Sequence, residues 1–248
     1  WYSTTPVCDF TYCYGGDWAL GKVGNYSLGF PSQATDGQVV IPDATDIAFG
    51  AADDFTVACW VKKKTATVPG GGSAYAGYIT KLNNTDGWVL GTWASPGDKF
   101  AFHTRNGTTT TIQADSANVD TDWHHLVAVR DGGTSYLWVD GVQQAETSTF
   151  DPDDSGEDLV IGRWYSDSGT YHADAYIDEV GLGARSDSIT PPEVSPGVTG
   201  SLVLYYDFEI GNNNPDSGNF FALNNATSAS VYDVDTVAWK STTMHTGT

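Results

Sequence analysis

The sequence predicts an all-β chain folded as a two-sheet antiparallel sandwich, and three observations predict it. Apolar residues alternate with period two over short stretches, and no 3.6-residue period persists over any long window. Clusters of Gly, Thr, Ser and Asp punctuate the chain roughly every ten residues, the spacing of strand ends in sandwiches. With 40% hydrophobic residues in a chain of 248, there is enough apolar surface to fill one core between two layers.

The elements follow in order. Residues 26–30, 39–42, 55–62, 77–82, 88–93, 100–105 and 109–113 read as strands of ordinary length. Residues 64–74 form a Gly/Thr/Pro/Ser stretch around Gly70, Gly71 and Gly72 and read as a surface tip. The organising stretch is 123–146. There Trp123, His125, Val127 and Val129 point one way and Leu126 and Ala128 the other, so both faces are apolar and the strand belongs inside the stack. Tyr136 and Trp138 share one face of the next strand, Leu137 and Val139 the other. Asp140-Gly141 then supplies the two positive-φ positions of a tight type I′ hairpin turn.

These residues carry a family resemblance. The run DWHHLVAVRDGGT at 122–134, followed by YLWVDGV at 136–142, resembles the central hairpin of the laminin-G-like, concanavalin-A-like jelly rolls. GKVGNYSLGF at 21–30, DFTVACWV at 54–61 and YIDEVGL at 176–182 resemble three further strands of that family. The order and spacing agree across about residues 18–195. The resemblance implies a jelly-roll sandwich. It leaves activity open, because the family hosts lectins, glycosidases, adhesins and inert spacers.

The chain divides into a body, 1–198, and a C-terminal segment, 199–248, after the Pro-rich stretch at 191–196. The segment's SLVLYYDFE, 201–209, with the Asp216-Ser217-Gly218 turn, resembles the opening strand of the same fold, here standing last. Three readings follow. The strand carrying Leu202, Val203, Leu204, Tyr205, Tyr206 and Phe208 completes its own sandwich, is donated to a neighbouring subunit, or belongs to a truncated second repeat. Donation in trans would build filaments.

With 31 acidic against 11 basic residues the formal net charge is -20, which repels nucleic acid and anionic membranes. No apolar run approaches the ~20 residues of a membrane span. The chain opens on Trp1, the expectation for a processed protein, and Asn25, Asn83, Asn106 and Asn225 each begin an N-x-[ST] glycosylation signal. Cys8 and Cys13 are close enough in sequence for a small looped disulfide, whereas Cys59 sits in an apolar strand as a buried free thiol. Together these features predict an extracellular, cell-surface or particle-surface glycoprotein.

Two ligand classes are suggested. Trp88 and Trp93 face opposite sides of one strand, so at least one leaves the core and can stack on a sugar ring. Trp164, Tyr165 and Tyr171, around the polar loop 166–169, form a second aromatic rim. For calcium, Asp151, Asp153, Ser155 and Glu157 place oxygens at alternate positions around Gly156, like the opening half of a calcium loop whose closing Glu is absent. The resemblance adds Asp178, in the position where several relatives hold a structural calcium with backbone carbonyls.

Catalysis has little support. Asp178 and Glu179 are adjacent and diverge, the glucanase E-x-D-x-E pattern is missing, and no nucleophile motif surrounds any histidine. The expectation is a non-enzymatic structural or adhesion module, stabilised by calcium, whose partners are its own copies or surface glycoproteins and glycans. A lectin-like carbohydrate-binding module is the alternative, and a glycoside hydrolase with an atypical carboxylate pair the third.

Overall fold

The computed structural model describes residues 13–14, 17–19, 22, 27–30, 38–50, 53–66, 75–83, 85–93, 98–164, 172–183 and 202–206. Its strands begin with Cys13–Tyr14 (β1), Asp17–Ala19 (β2), Ser27–Phe30 (β3), Gln38–Ile41 (β4) and Phe55–Lys63 (β5). Tyr75–Leu82 (β6), Asp86–Trp93 (β7), Lys99–Asn106 (β8), Thr108–Asn118 (β9) and Trp123–Asp131 (β10) follow. The series ends with Thr134–Val139 (β11), Val142–Ser148 (β12), Leu159–Ile161 (β13), Ala175–Gly183 (β14) and Leu202–Tyr206 (β15).

Two antiparallel sheets result, the jelly-roll sandwich that the sequence predicts. One is seven-stranded in the order β1-β4-β13-β6-β7-β8-β9. The other is eight-stranded in the order β12-β11-β10-β5-β14-β3-β2, with β15 also pairing β14. Strands β1, β2 and β13, of two or three residues, are too short to show a period in sequence.

Parity on each strand decides what enters the core. From β5, Phe55, Val57, Cys59 and Val61 point inward with Leu126 and Ala128 of β10. Tyr78, Trp88, Leu90, Phe100 and Phe102 meet them from the opposite sheet. The Phe55 and Trp88 rings lie 5.5 Å apart. Cys59 is a free, buried thiol, and burial pushes its ionisation far up, so it behaves as a small apolar residue.

The β11–β12 turn has the predicted chemistry, with Asp140 at φ 52° and Gly141 at φ 77°. Its carboxylate also ties the turn to β10. Asp140 Oδ1 accepts from the His125 backbone N at 2.8 Å, and Oδ2 pairs with His124 Nδ1 at 2.7 Å. On the other side His124 Nε2 meets Asp120 Oδ1 at 3.0 Å. The hydrogen bond to Asp140, reinforced by Asp120, holds the imidazolium up to about pH 9 against partial desolvation.

One edge of β14 is divided. Its N-terminal half pairs β3 through Ala175↔Phe30, Tyr176↔Gly29 and Ile177↔Leu28. Its C-terminal half pairs β15 through Val180↔Tyr206, Gly181↔Tyr205, Leu182↔Leu204 and Gly183↔Leu202. The change of partner coincides with a bulge between Asp178 and Gly181, where Glu179 has φ 51°. Leu202–Tyr206 thus lies on the sheet of its own chain.

Candidate functional site

The outer face of the seven-stranded sheet is built by the residues that alternate with its core positions. Because Trp88 and Leu90 point inward, Val89, Gly91 and Trp93 of β7 point outward. Across the ladders Tyr75 stands opposite Trp93, Gly77 opposite Gly91, and His103 opposite Val89.

These positions converge on one aromatic cluster. Tyr75 and Trp93 stack with centroids 5.6 Å apart, and Tyr75 and Trp164 lie at 4.5 Å. His103 meets Trp164 edge-on at 4.7 Å and Trp93 at 5.5 Å. Tyr75 and Trp93 are half-buried, while Trp164 is 5% exposed and forms the back of the cluster. The floor is glycine for a steric reason. A Cβ on Gly91 would sit 2.1 Å from the Ala76 carbonyl oxygen, and one on Gly77 would sit 2.5 Å from that of Arg163. Burial, then the charge of Arg105, lowers the His103 pKa to about 3, so its ring is neutral at physiological pH. The result is a partly open aromatic shelf around a neutral imidazole.

Among the sugar-stacking residues suggested by sequence, Trp93 and Trp164 are brought together here. Trp88 is corrected: it is fully buried against Phe55 and offers no face to a ligand. Tyr165 and Tyr171 lie outside the described residues. Tyr75 and His103 are missed by the sequence reading because their place beside Trp93 depends on strand register, which side-chain periodicity alone does not give.

The residues expected to form a calcium loop make contacts within the protein. Asp151 pairs with Arg130, and Ser155 Oγ accepts from the Glu157 backbone N at 3.2 Å. The Glu157 carbonyl accepts from Lys81 Nζ at 2.8 Å, and Asp153 donates its backbone N–H to the Arg105 carbonyl at 3.3 Å. Lys81 is a buried cation that also holds Asp43 at 2.7 Å and Asp154 at 3.1 Å, so an ammonium of the protein lies against this acidic turn. Asp178 is fully buried and its two oxygens accept from backbone N–H groups, Oδ2 from Lys22 at 2.8 Å and Oδ1 from Glu179 at 2.9 Å. Among the described residues no cluster of three or more His, Cys, Asp or Glu could hold a metal.

The glycosylation signals differ in setting. Asn106 is exposed at the β8–β9 turn. Asn83 is half-buried, accepts from the Thr85 and Asp86 backbone N–H groups at 2.7 Å, and donates Nδ2 to the Ser155 carbonyl at 2.8 Å. Its amide nitrogen is therefore already engaged inside a loop contact. Asn25, Asn225, Cys8 and Phe208 lie outside the described residues, as does the side chain of Cys13.

A sandwich with this topology and an aromatic outer face is of the class that includes the jelly-roll lectins. The chain belongs to the concanavalin A-like lectin/glucanases superfamily, whose laminin-G family model matches residues 33–195. No curated protein matches it in sequence. Among solved structures it is similar to the binding domain of Paraclostridial Mosquitocidal Protein 1, with TM-score 0.53 and 12% identity over 70% of this chain and 43% of that one. It is similar to domain 4 of AbnA, a GH43 extracellular arabinanase from Geobacillus stearothermophilus solved in complex with arabinotriose. There the TM-score is 0.52 with 14% identity, covering 72% of this chain and 85% of that one. A botulinum neurotoxin type C structure, from work on its interaction with two ganglioside molecules, gives 0.51 and 15% over 72% of this chain and 44% of that one. At these identities the likeness establishes the fold alone, and the chain spans less than half of either toxin structure. No helix among the described residues is long and apolar enough to cross a membrane.

Proposed function

We propose that this chain is a non-catalytic, lectin-like module that binds carbohydrate on the outer face of its seven-stranded sheet. The observation that carries the reading is the Tyr75–Trp93–Trp164 cluster, two of whose rings remain partly open above a glycine floor. Stacking on such a shelf takes the C–H face of a sugar, and the neutral His103 adds no charge that would select an ionic ligand. The arabinotriose-bound and ganglioside-binding neighbours are consistent with this use of the fold. An extracellular or surface address suits such a module. Glycan-array binding by the wild type, lost with Trp93→Ala and retained with Trp88→Phe, is the expected result; an array on which the wild type binds nothing would overturn the reading.

A second reading is adhesion or assembly by strand exchange, favoured by the divided edge of β14. There Leu202–Tyr206 occupies a short slot that the same strand of another copy could fill. Concentration-dependent oligomers that disappear on deleting residues 199–248 would support it; a strictly monomeric protein at every concentration would dismiss it.

A further inference from the structure

The outer face of the eight-stranded sheet has a different chemistry. Strand parity places Thr56, Ala58, Trp60 and Lys62 of β5 outward, because Phe55, Val57, Cys59 and Val61 fill the core. The ladders then set the rows. Lys62 lies between Tyr176 of β14 and Trp123 of β10, and Trp60 lies between Asp178 and His125. Lys22 Nζ sits 4.8 Å from the Trp60 ring centroid, and Lys64 Nζ sits 4.9 Å from that of Tyr176. A protein with 11 basic residues and a net charge of -20 thus gathers Lys22, Lys62 and Lys64 beside Trp60, Trp123 and Tyr176 at one end of one face.

Three nearby carboxylates have partners of their own. Asp178 accepts from two backbone N–H groups. Asp174 accepts from Thr65 Oγ1 at 2.6 Å and faces the inward-pointing Lys63. Asp120 is held by His124. Among the described residues neither Lys22 nor Lys62 makes an ion pair. Lys22 is exposed, and Lys62, Lys64, Trp123 and Tyr176 are half-buried. The Lys22 and Lys64 ammonium groups lie over rings, which limits the side-chain entropy lost when a ligand is bound.

We propose that this end of the face is a second binding site, specific for an acidic saccharide. The apolar face of a sugar ring lies against Trp123 or Tyr176, and its carboxylate or sulfate is held among the ammonium groups of Lys22, Lys62 and Lys64. The inference is independent of the Trp93 shelf. The overall negative charge repels an anionic ligand from a distance, but at physiological salt that repulsion is screened beyond roughly 8 Å while the lysines act at contact. The site therefore favours a short acidic unit over a long polyanion, whose remaining charges would meet the acidic surface.

Calorimetric titration of the full chain with a heparin-derived hexasaccharide, an oligogalacturonate hexamer, inorganic sulfate, a thymidine oligonucleotide and a neutral oligosaccharide tests the proposal. Because heparin carries uronate carboxylates as well as sulfates, binding of the oligogalacturonate marks carboxylate recognition, and binding of the heparin-derived oligomer alone marks a need for sulfate. We expect binding of one of them, weakened about tenfold by Lys62→Gln combined with Lys64→Gln, weakened again by Trp123→Ala, and changed less than about twofold by Trp93→Ala. Unaltered thermal unfolding of the lysine variant shows that it folds, and unaltered neutral-sugar binding separates this site from the Trp93 shelf. Absence of binding to both acidic oligosaccharides, equal binding of the oligonucleotide or inorganic sulfate, or affinity indifferent to the lysine changes would each overturn it.

Discussion

The two outer faces of this sandwich share a fold and differ in chemistry. On the seven-stranded sheet Gly77, Val89, Gly91 and aromatic rings surround a neutral His103, and Tyr75 and Trp93 remain partly open. On the eight-stranded sheet Ala58, Val127 and Val129 are buried in an outward row beside Trp138, and lysines stand over the rings at one end. The inward residues of both sheets are interchangeable in kind, all serving one core. The difference teaches that the sandwich is specified by one parity of each strand and its surface chemistry by the other.

Two histidines give folding stability opposite pH limbs, the largest effect expected. His103, whose folded pKa is depressed to about 3, stays neutral in the native state while the unfolded chain takes up a proton near pH 6.5. Its contribution is present above 6.5 and is lost as pH falls from there toward 3, on the order of a few kcal/mol. His124 has the opposite sign. Its folded pKa of about 9 gives stability that is full below pH 6.5 and is lost as pH rises through 9, a smaller amount because the pair is partly solvated. Urea unfolding from pH 4 to 9.5 should show both limbs, with His103→Gln flattening the acid limb and His124→Gln the alkaline one.

Next in size is Gly91→Ala. Its new methyl would press on the Ala76 carbonyl in the shelf's floor, so we expect a loss of about 3 kcal/mol by denaturant unfolding and a shelf that no longer binds. Val127→Ala, in the buried row of the opposite face, should cost about 2 kcal/mol and leave carbohydrate binding alone. Trp93→Ala should do the reverse, reducing neutral-glycan affinity about tenfold with less than about 1 kcal/mol of stability lost. If the Val127 and Trp93 variants behaved alike in both assays, the distinction between the faces would fail.

Much of the fold was legible in the sequence because strand parity and turn chemistry are local. The 123–146 hairpin carried a period-two pattern ending in Asp140-Gly141, and the structure reproduces both the strands and the turn. The site was less legible. Parity required one of Trp88 and Trp93 to face outward but could not say which, since that depends on where the second sheet lies. The acidic turn at 151–157 looked like a cation loop from its own residues. Lys81 and Arg130, distant in sequence, pair with its Asp154 and Asp151. Likewise the Tyr176–Lys62–Trp123 row exists only through ladder register between three separated strands.

The central claim is that carbohydrate meets this protein on the outward parity of β7 and not on its core side. Titrating the 15N-labelled protein with the neutral oligosaccharide selected on a glycan array, while following the indole N–H resonances, tests it directly. The account predicts the largest shifts at Trp93 and Trp164 with Trp88 unmoved; shifts confined to indoles away from that shelf, with Trp93 silent, would contradict it.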